Sequence, residues 1–450
     1  MLLPYGIQTV KRADIPRIKL ANLYVEKQES VPGNVILMPR PALVFNNTLG
    51  AGPNRGIACQ DGSLNNDIFT VSGGTLYNNL SAIGSIGGTG NVAMSFADNS
   101  LLIANGVELY RTDGALVTQI AFPDGAGVQD VSYLGGYALA ARAGSRRIYF
   151  TLDTTTWDGL DFVSAELSTG AIVGFSIVSG QLWVFCTDHT ELFYLTGDSD
   201  APIVSAQVRS FDKGALTRES ITKLDNTVFW VGHDGIVYRG GDTPIRVSDH
   251  GIEERIAESN AADIAAMSYP WNGHLFYVLH LTNGTVCYDP ATQQWHELES
   301  YGRTRWRAVN AILFGRTVVT GDDENGTQWL LQDGLYTDDG TPISRIFTLQ
   351  INDNTFVDNL AFDCSVGQVA DQNSPAGLIE LRTSRDGGET WGNWKQASLG
   401  KLGHARTYAR WRRLGLVDEG NMLIQVRITD PVASRISYCR VNEATSGRSR

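Results

Sequence analysis

The sequence predicts an all-β protein: a β-propeller of six or seven blades, with an extended N-terminal arm and a C-terminal β-sandwich-like domain. Three observations predict it. Glycine is abundant at 48 of 450 residues and proline scarce at 14, a balance that favours many tight turns. Strands rich in β-branched and aromatic residues are joined by Asp234-Gly235, Asn283-Gly284 and Asn325-Gly326, pairs suited to the positive φ of hairpin turns. The strands recur every roughly 40–50 residues, enough for one sheet that cannot bury both faces alone and so joins its neighbours in a ring.

Residues 1–65 read as the arm. Asn22-Leu23-Tyr24-Val25-Glu26 and Val35-Ile36-Leu37-Met38-Pro39-Arg40-Pro41 are short extended pieces. Pro32, Pro39 and Pro41 argue against a helix or a central strand there. Residues 66–340 read as the propeller, with first strands beginning near Ile68, Leu101, Tyr137, Leu182, Val228, Leu275 and Thr317. Tyr288-Asp289-Pro290-Ala291-Thr292-Gln293-Gln294-Trp295 supplies a strand, an Asp-Pro turn and a Trp at blade-like spacing. A series of β-sandwiches without closure is the alternative architecture. One helix is predicted, from Gly251 to Met267, as an insertion between blades. Residues 341–445 carry alternating strands at Ile343–Ile351, Phe356–Phe362, Leu378–Thr383 and Leu423–Ile428, the sandwich-like domain. Residues 446–450 form a polar tail.

The formal net charge is −12, which disfavours tight, non-specific gripping of nucleic acid, since that needs cationic groups at the phosphates. A channel that lets DNA pass without sticking remains compatible with it. Cys59, Cys186, Cys287, Cys364 and Cys439 are far apart and odd in number, so they read as small core residues in a reducing compartment, without zinc site or disulfide framework. No apolar run reaches the ~18 residues of a membrane span, and no signal peptide is expected. No nucleophile elbow, Walker A loop or HExxH helix is present. Gly84-Ser85-Ile86-Gly87-Gly88-Thr89-Gly90 lacks the lysine and following helix of a phosphate cradle. No catalytic residue, cofactor or metal is therefore expected. A carbohydrate-active or carbohydrate-binding propeller acting at a host surface stands as the alternative function.

Ser384-Arg385-Asp386-Gly387-Gly388-Glu389-Thr390-Trp391 fits the S-x-D-x-G-x-T-W Asp box. Its Ser384, Asp386, Gly388, Thr390 and Trp391 are expected to staple a hairpin turn, with Trp391 packed beneath. Two basic runs stand out. Arg303, Arg305 and Arg307 alternate, so on a strand they would share one face with Trp306 opposite. Lys401 to Arg413 crowds Arg406, Arg410, Arg412 and Arg413 together. All seven arginines are candidates for contact with an acidic neighbouring subunit or adaptor, because guanidinium forks desolvate comparatively well. A solvated face and contact with DNA phosphate are the other readings.

The Asp box, Leu399-Gly400-Lys401-Leu402-Gly403, Arg410-Trp411-Arg412-Arg413-Leu414-Gly415 and Thr429-Asp430-Pro431-Val432 follow in order. This succession resembles the C-terminal domain of the packaged-DNA stabilisation, or tail nozzle, proteins of short-tailed bacteriophages (podoviruses). Asn22-Leu23-Tyr24 with Arg40-Pro41-Ala42-Leu43 resembles the opening of that family, although Ala42 stands where the family often has Gly. Tyr336-Thr337-Asp338-Asp339-Gly340-Thr341-Pro342-Ile343 resembles its propeller-to-tail junction. The resemblance implies a virion structural protein without cofactor, made in the host cytoplasm. It implies a homo-hexameric ring below the portal and adaptor, in contact with other tail proteins. Genomic DNA would pass through that ring. Acidic loops are then expected to face the channel, with the arginine runs at protein contacts.

Overall fold

The computed structural model describes residues 3–4, 6–7, 17–31, 34–351, 354–367, 375–403, 408–417 and 422–443. Seven four-stranded antiparallel units lie between residues 42 and 332. Their inner strands are Asn54–Ala58, Ala93–Ala97, Val128–Leu134, Ile172–Val178, Thr222–Leu224, Ala265–Trp271 and Ala308–Phe314. Each inner strand neighbours the next, and the seventh returns to the first. The ring is closed, and the blade number is seven.

The strands that the sequence marked as first in each repeat are second from the centre: Phe69–Ser72, Ser100–Ala104, Tyr137–Arg142, Gln181–Cys186, Thr227–Val231, His274–Leu281 and Thr317–Asp322. The reason is burial. Second strands are covered on both faces by neighbouring blades, so they carry near-continuous apolar runs such as Leu182-Trp183-Val184-Phe185. Inner strands line the central channel and include Asp130, Gly174 and Asn310, which mask their strand character.

Residues 1–65 do not form a single arm. Ala42–Thr48 pairs antiparallel with Thr327–Gln332 and is the outermost strand of blade 7, while Asn54–Ala58 opens blade 1. One continuous stretch of chain thus closes the ring. Leu20–Ala21 inserts between the outer strand of blade 6, Gln294–Leu298, and the sandwich strand Arg345–Ile351. Blade 6 is thereby continued into a nine-stranded sheet that ends with Met422–Ile428, Leu378–Ser384 and Lys395–Ser398. The second sandwich sheet runs Leu23–Lys27, Val35–Pro39, Ile436–Val441, Phe356–Cys364, Ala409–Leu416. Val35–Pro39 is therefore an interior strand, contrary to the proline argument. Pro39 sits at its end, and it meets Ile436–Val441 only through Leu37 and Ile436, so no ladder bond is lost. Pro32 and the 446–450 tail lie outside the described residues.

The helix is shorter than expected, His250–Ala257, with the Asp249 side chain accepting from Ile252 N at its start. Ala265–Trp271, including Met267, is instead the inner strand of blade 6, held by pairing with His274–Leu281. A single apolar core runs from Phe229 and Tyr277 in blades 5 and 6, through Leu23 and Val25, to Phe347, Phe362, Trp411 and Val426 in the sandwich. Propeller and sandwich are one packed body. Cys186, Cys287 and Cys439 are buried, Cys59 and Cys364 half-buried, and none of the five is in a disulfide; burial pushes Cys186, Cys364 and Cys439 up to about 12.

Candidate functional site: junction and arginine clusters

Where propeller meets sandwich, the segments around Asn22, Arg40 and Asp338 come together. Arg40 Nη2 and Nη1 donate to Asp338 Oδ2 and Oδ1 at 2.6 and 3.0 Å, with Arg40 at 2% and Asp338 at 7% exposure. Arg40 Nε donates to Asn22 Oδ1 at 2.8 Å, and the remaining contacts go to the carbonyls of Pro41 and Glu299. Asp338 Oδ1 also accepts from Leu43 N, and Asn22 Nδ2 donates to Ser344 O. Every strong hydrogen-bonding direction of the guanidinium is used, the condition under which a buried pair is tolerated. Nearby, His274 bridges the bodies. Its Nδ1 meets Asp289 Oδ2 and its Nε2 meets Glu26 Oε2, both at 2.8 Å. The hydrogen bond to Asp289, then that to Glu26, pushes His274 up to about 9 against the opposing cost of burial. Sequence reading missed both sites, because Arg40 and Asp338 lie 298 residues apart.

Arg303, Arg305 and Arg307 lie on the loop between blades 6 and 7, not on a strand. Trp306 is fully buried, and Arg40 lies over its ring. Arg303 pairs with Asp323 at 2.5 Å and with Glu324 at 3.3 Å. Arg307 Nε donates to Asp322 at 2.7 Å, and its guanidinium lies 4.8 Å from the centre of the Trp329 ring. These two charges are neutralised within the chain. Arg305 faces the channel mouth, where a polar cavity of about 330 Å³ is lined among others by Asn54, Asp263, His280 and Asn310.

The second run is different. Arg406 lies outside the described residues. Arg410, Arg412 and Arg413 sit on Ala409–Leu416, the edge strand of the second sandwich sheet and the strand farthest along that sheet from the propeller. Between Val357 opposite Gly415 and Asn359 opposite Arg412 the register shifts, and Arg413 adopts φ 55°. A regular strand would send consecutive side chains to opposite faces. This bulge leaves both Arg412 and Arg413 exposed between buried Trp411 and Leu414, and among the described residues neither has an ion-pair partner.

The Asp box behaves as a turn staple. Ser384 Oγ donates to Asp386 Oδ1 at 2.6 Å and accepts from Gly388 N, while Thr390 donates its N–H and its hydroxyl to Asp386. These donors hold the Asp386 carboxyl well below the usual carboxylate range. Trp391 is half-buried against the turn, its ring edge 3.6 Å from where a Cβ at Gly388 would stand, with the Arg382 guanidinium 4.8 Å from its ring centre. The glycine-rich loop after blade 1 also has a structural use. Its carbonyls at Ile86, Gly87 and Gly90, with that of Gly73, surround the buried Arg55 guanidinium. A loop presenting carbonyls to a cation is the reverse of a phosphate cradle, which presents N–H groups. Among the described residues no group of three or more His, Cys, Asp or Glu could hold a metal ion, and no helix is long and apolar enough to cross a membrane.

A closed propeller that continues edgewise into a sandwich, with its buried charges locking the two together, defines a two-part all-β structural protein. The chain belongs to the bacteriophage P22 Gp10 family: residues 1–335 match the family's β-propeller and residues 343–444 its β-sandwich. It is a bacteriophage tail protein of the virion, as the ordered C-terminal motifs implied. Among curated proteins it is similar to the tail hub protein gp10 of Salmonella phage P22, 24% identical over 314 residues. That match covers 62% of this chain and 65% of the relative, so the chain spans just under two thirds of the relative's length. Similar solved structures include a streptogramin B lyase (10% identity, 65% of this chain and 97% of that one, TM-score 0.46). The WD40 β-propeller domain of Doa1 is another (10% identity, 66% and 97%, TM-score 0.44).

Proposed function

We propose that the chain is the subunit of a tail nozzle, a six-membered ring below the portal and adaptor. The ring extends the DNA channel, retains the packaged genome and lets it pass on ejection. The observation that carries this reading is the rigid union of propeller and sandwich: a shared core and a nine-stranded sheet running from one into the other, in a chain of a phage tail family. A conduit under internal pressure needs a wall that does not hinge. The role is mechanical, with no reaction and no cofactor.

The net charge of −12 supports the same reading. Each cationic contact to phosphate adds affinity and would slow passage, whereas an acidic wall repels the duplex over about 10 Å at moderate salt. Arg303 and Arg307 are neutralised by their own chain, and Arg412 and Arg413 stand exposed on the sandwich edge as the groups for subunit or adaptor contact.

Imaging of the portal–adaptor–tail assembly tests the reading. Six copies of this chain around the axis are expected, with weak, salt-sensitive binding of duplex DNA by the purified ring. Copies placed singly at the tail periphery, or turnover of a host glycan by the purified chain, would favour the carbohydrate-directed alternative.

A further inference from the structure

The far edge of the sandwich and the opposite rim of the propeller carry complementary surfaces. At the sandwich edge, Phe356 and Leu416 are cross-strand neighbours at 53% and 54% exposure, next to the exposed Arg412 and Arg413. In blade 3 the outer turn over residues 152–161 exposes Leu152 and Leu160, at 71% and 84%, together with Asp158 and Asp161. Neither aspartate has an ion-pair partner among the described residues. Large apolar side chains flanked by charge of one sign are the composition of a protein contact, not of a random surface.

Their placement matters as much as their chemistry. The sandwich joins the propeller at blades 6 and 7, through Leu20–Ala21 and the Arg40–Asp338 pair. Blade 3 lies across a seven-bladed ring from that junction. The two patches are therefore at opposite ends of the molecule. A cyclic ring of more than two subunits requires such a heterologous contact, in which two different patches of one chain meet. We infer that the Arg412–Arg413 edge of one copy docks on the blade 3 rim of the next copy, Asp158 and Asp161 facing the two guanidinium groups and the leucines packing on Phe356 and Leu416. The occupant is a second copy of this chain. This rests on the ring proposed above and names the surface that closes it.

A charge swap tests it on the full-length chain. Arg412→Glu with Arg413→Glu, and separately Asp158→Arg with Asp161→Arg, should each raise the concentration needed for ring formation at least about tenfold. Thermal unfolding should stay unchanged, since all four residues are exposed. The chain carrying all four substitutions should regain rings, and so should an equimolar mixture of the two double variants, because a six-membered ring of alternating copies sets each acidic edge against a basic rim and each basic edge against an acidic rim; if neither regains rings, the interface is overturned. Rings that form normally in both double variants keep the nozzle reading and overturn this interface. Loss of adaptor binding with rings intact assigns the arginine edge to the adaptor and also overturns it. A wild-type chain that never forms rings, with or without adaptor, defeats the ring itself and the interface with it.

Discussion

Arg40 and Asp338, 298 residues apart, face each other as a two-pronged ion pair with N···O distances of 2.6 and 3.0 Å. The pair ties the segment entering the ring-closing strand to the segment leaving blade 7, at the root of the sandwich. Removing one member strands a buried charge. Asp338→Asn is expected to cost about 3–5 kcal/mol, and Arg40→Met a similar amount. Combining Arg40→Met with Asp338→Leu should cost less than the sum, because no lone charge remains. Denaturant unfolding of the three variants checks this.

His274 makes the junction pH-dependent. Its folded value of about 9 lies above its ordinary 6.5, so folding favours the imidazolium. The sign follows: the contribution is complete below about 6.5 and is lost as pH rises through about 9. Asp289, held below its ordinary 3.8 chiefly by the His274 hydrogen bond against burial, works the other way. Its contribution is present above 3.8 and disappears as pH falls through its lowered value. Melting temperature measured between pH 6 and 10 should fall in the wild type, and His274→Gln should flatten that fall.

Ring closure depends on a backbone approach at Gly326. Leu49 N donates to Gly326 O at 2.7 Å, and a Cβ at Gly326 would stand 2.1 Å from Leu49 O. Gly326→Ala must push the closing strand away, at a cost of about 1–3 kcal/mol. Limited proteolysis should then cut near residues 48–53 faster than in the wild type.

The two arginine runs should separate by their response to truncation. Arg307→Ala removes a bond to the fully buried Asp322 and a stack on Trp329, and should lower stability by about 1–3 kcal/mol. Arg412→Ala, on an exposed edge, should change it by less than about 0.5 kcal/mol. Paired unfolding curves compare them directly.

What the sequence determined by itself was the local grammar. Burial on both faces wrote an apolar run at Leu182-Trp183-Val184-Phe185 and its six counterparts, and hairpin chemistry wrote Asp234-Gly235 and Asn283-Gly284, so period, fold class and the main sandwich strands were legible. The Asp box was legible too, because its donors and acceptor lie within seven residues. Rank and partnership came from long-range packing: those runs are second strands, Ala42–Thr48 closes blade 7, and Leu20–Ala21 welds blade 6 to the sandwich. It also decided which arginines are free. Arg303 and Arg412 look alike in sequence, yet one meets Asp323 and the other meets no acid among the described residues. Strand propensity and turn preference act between near neighbours, whereas closure and charge pairing depend on which distant segments the packed core brings within a few ångströms.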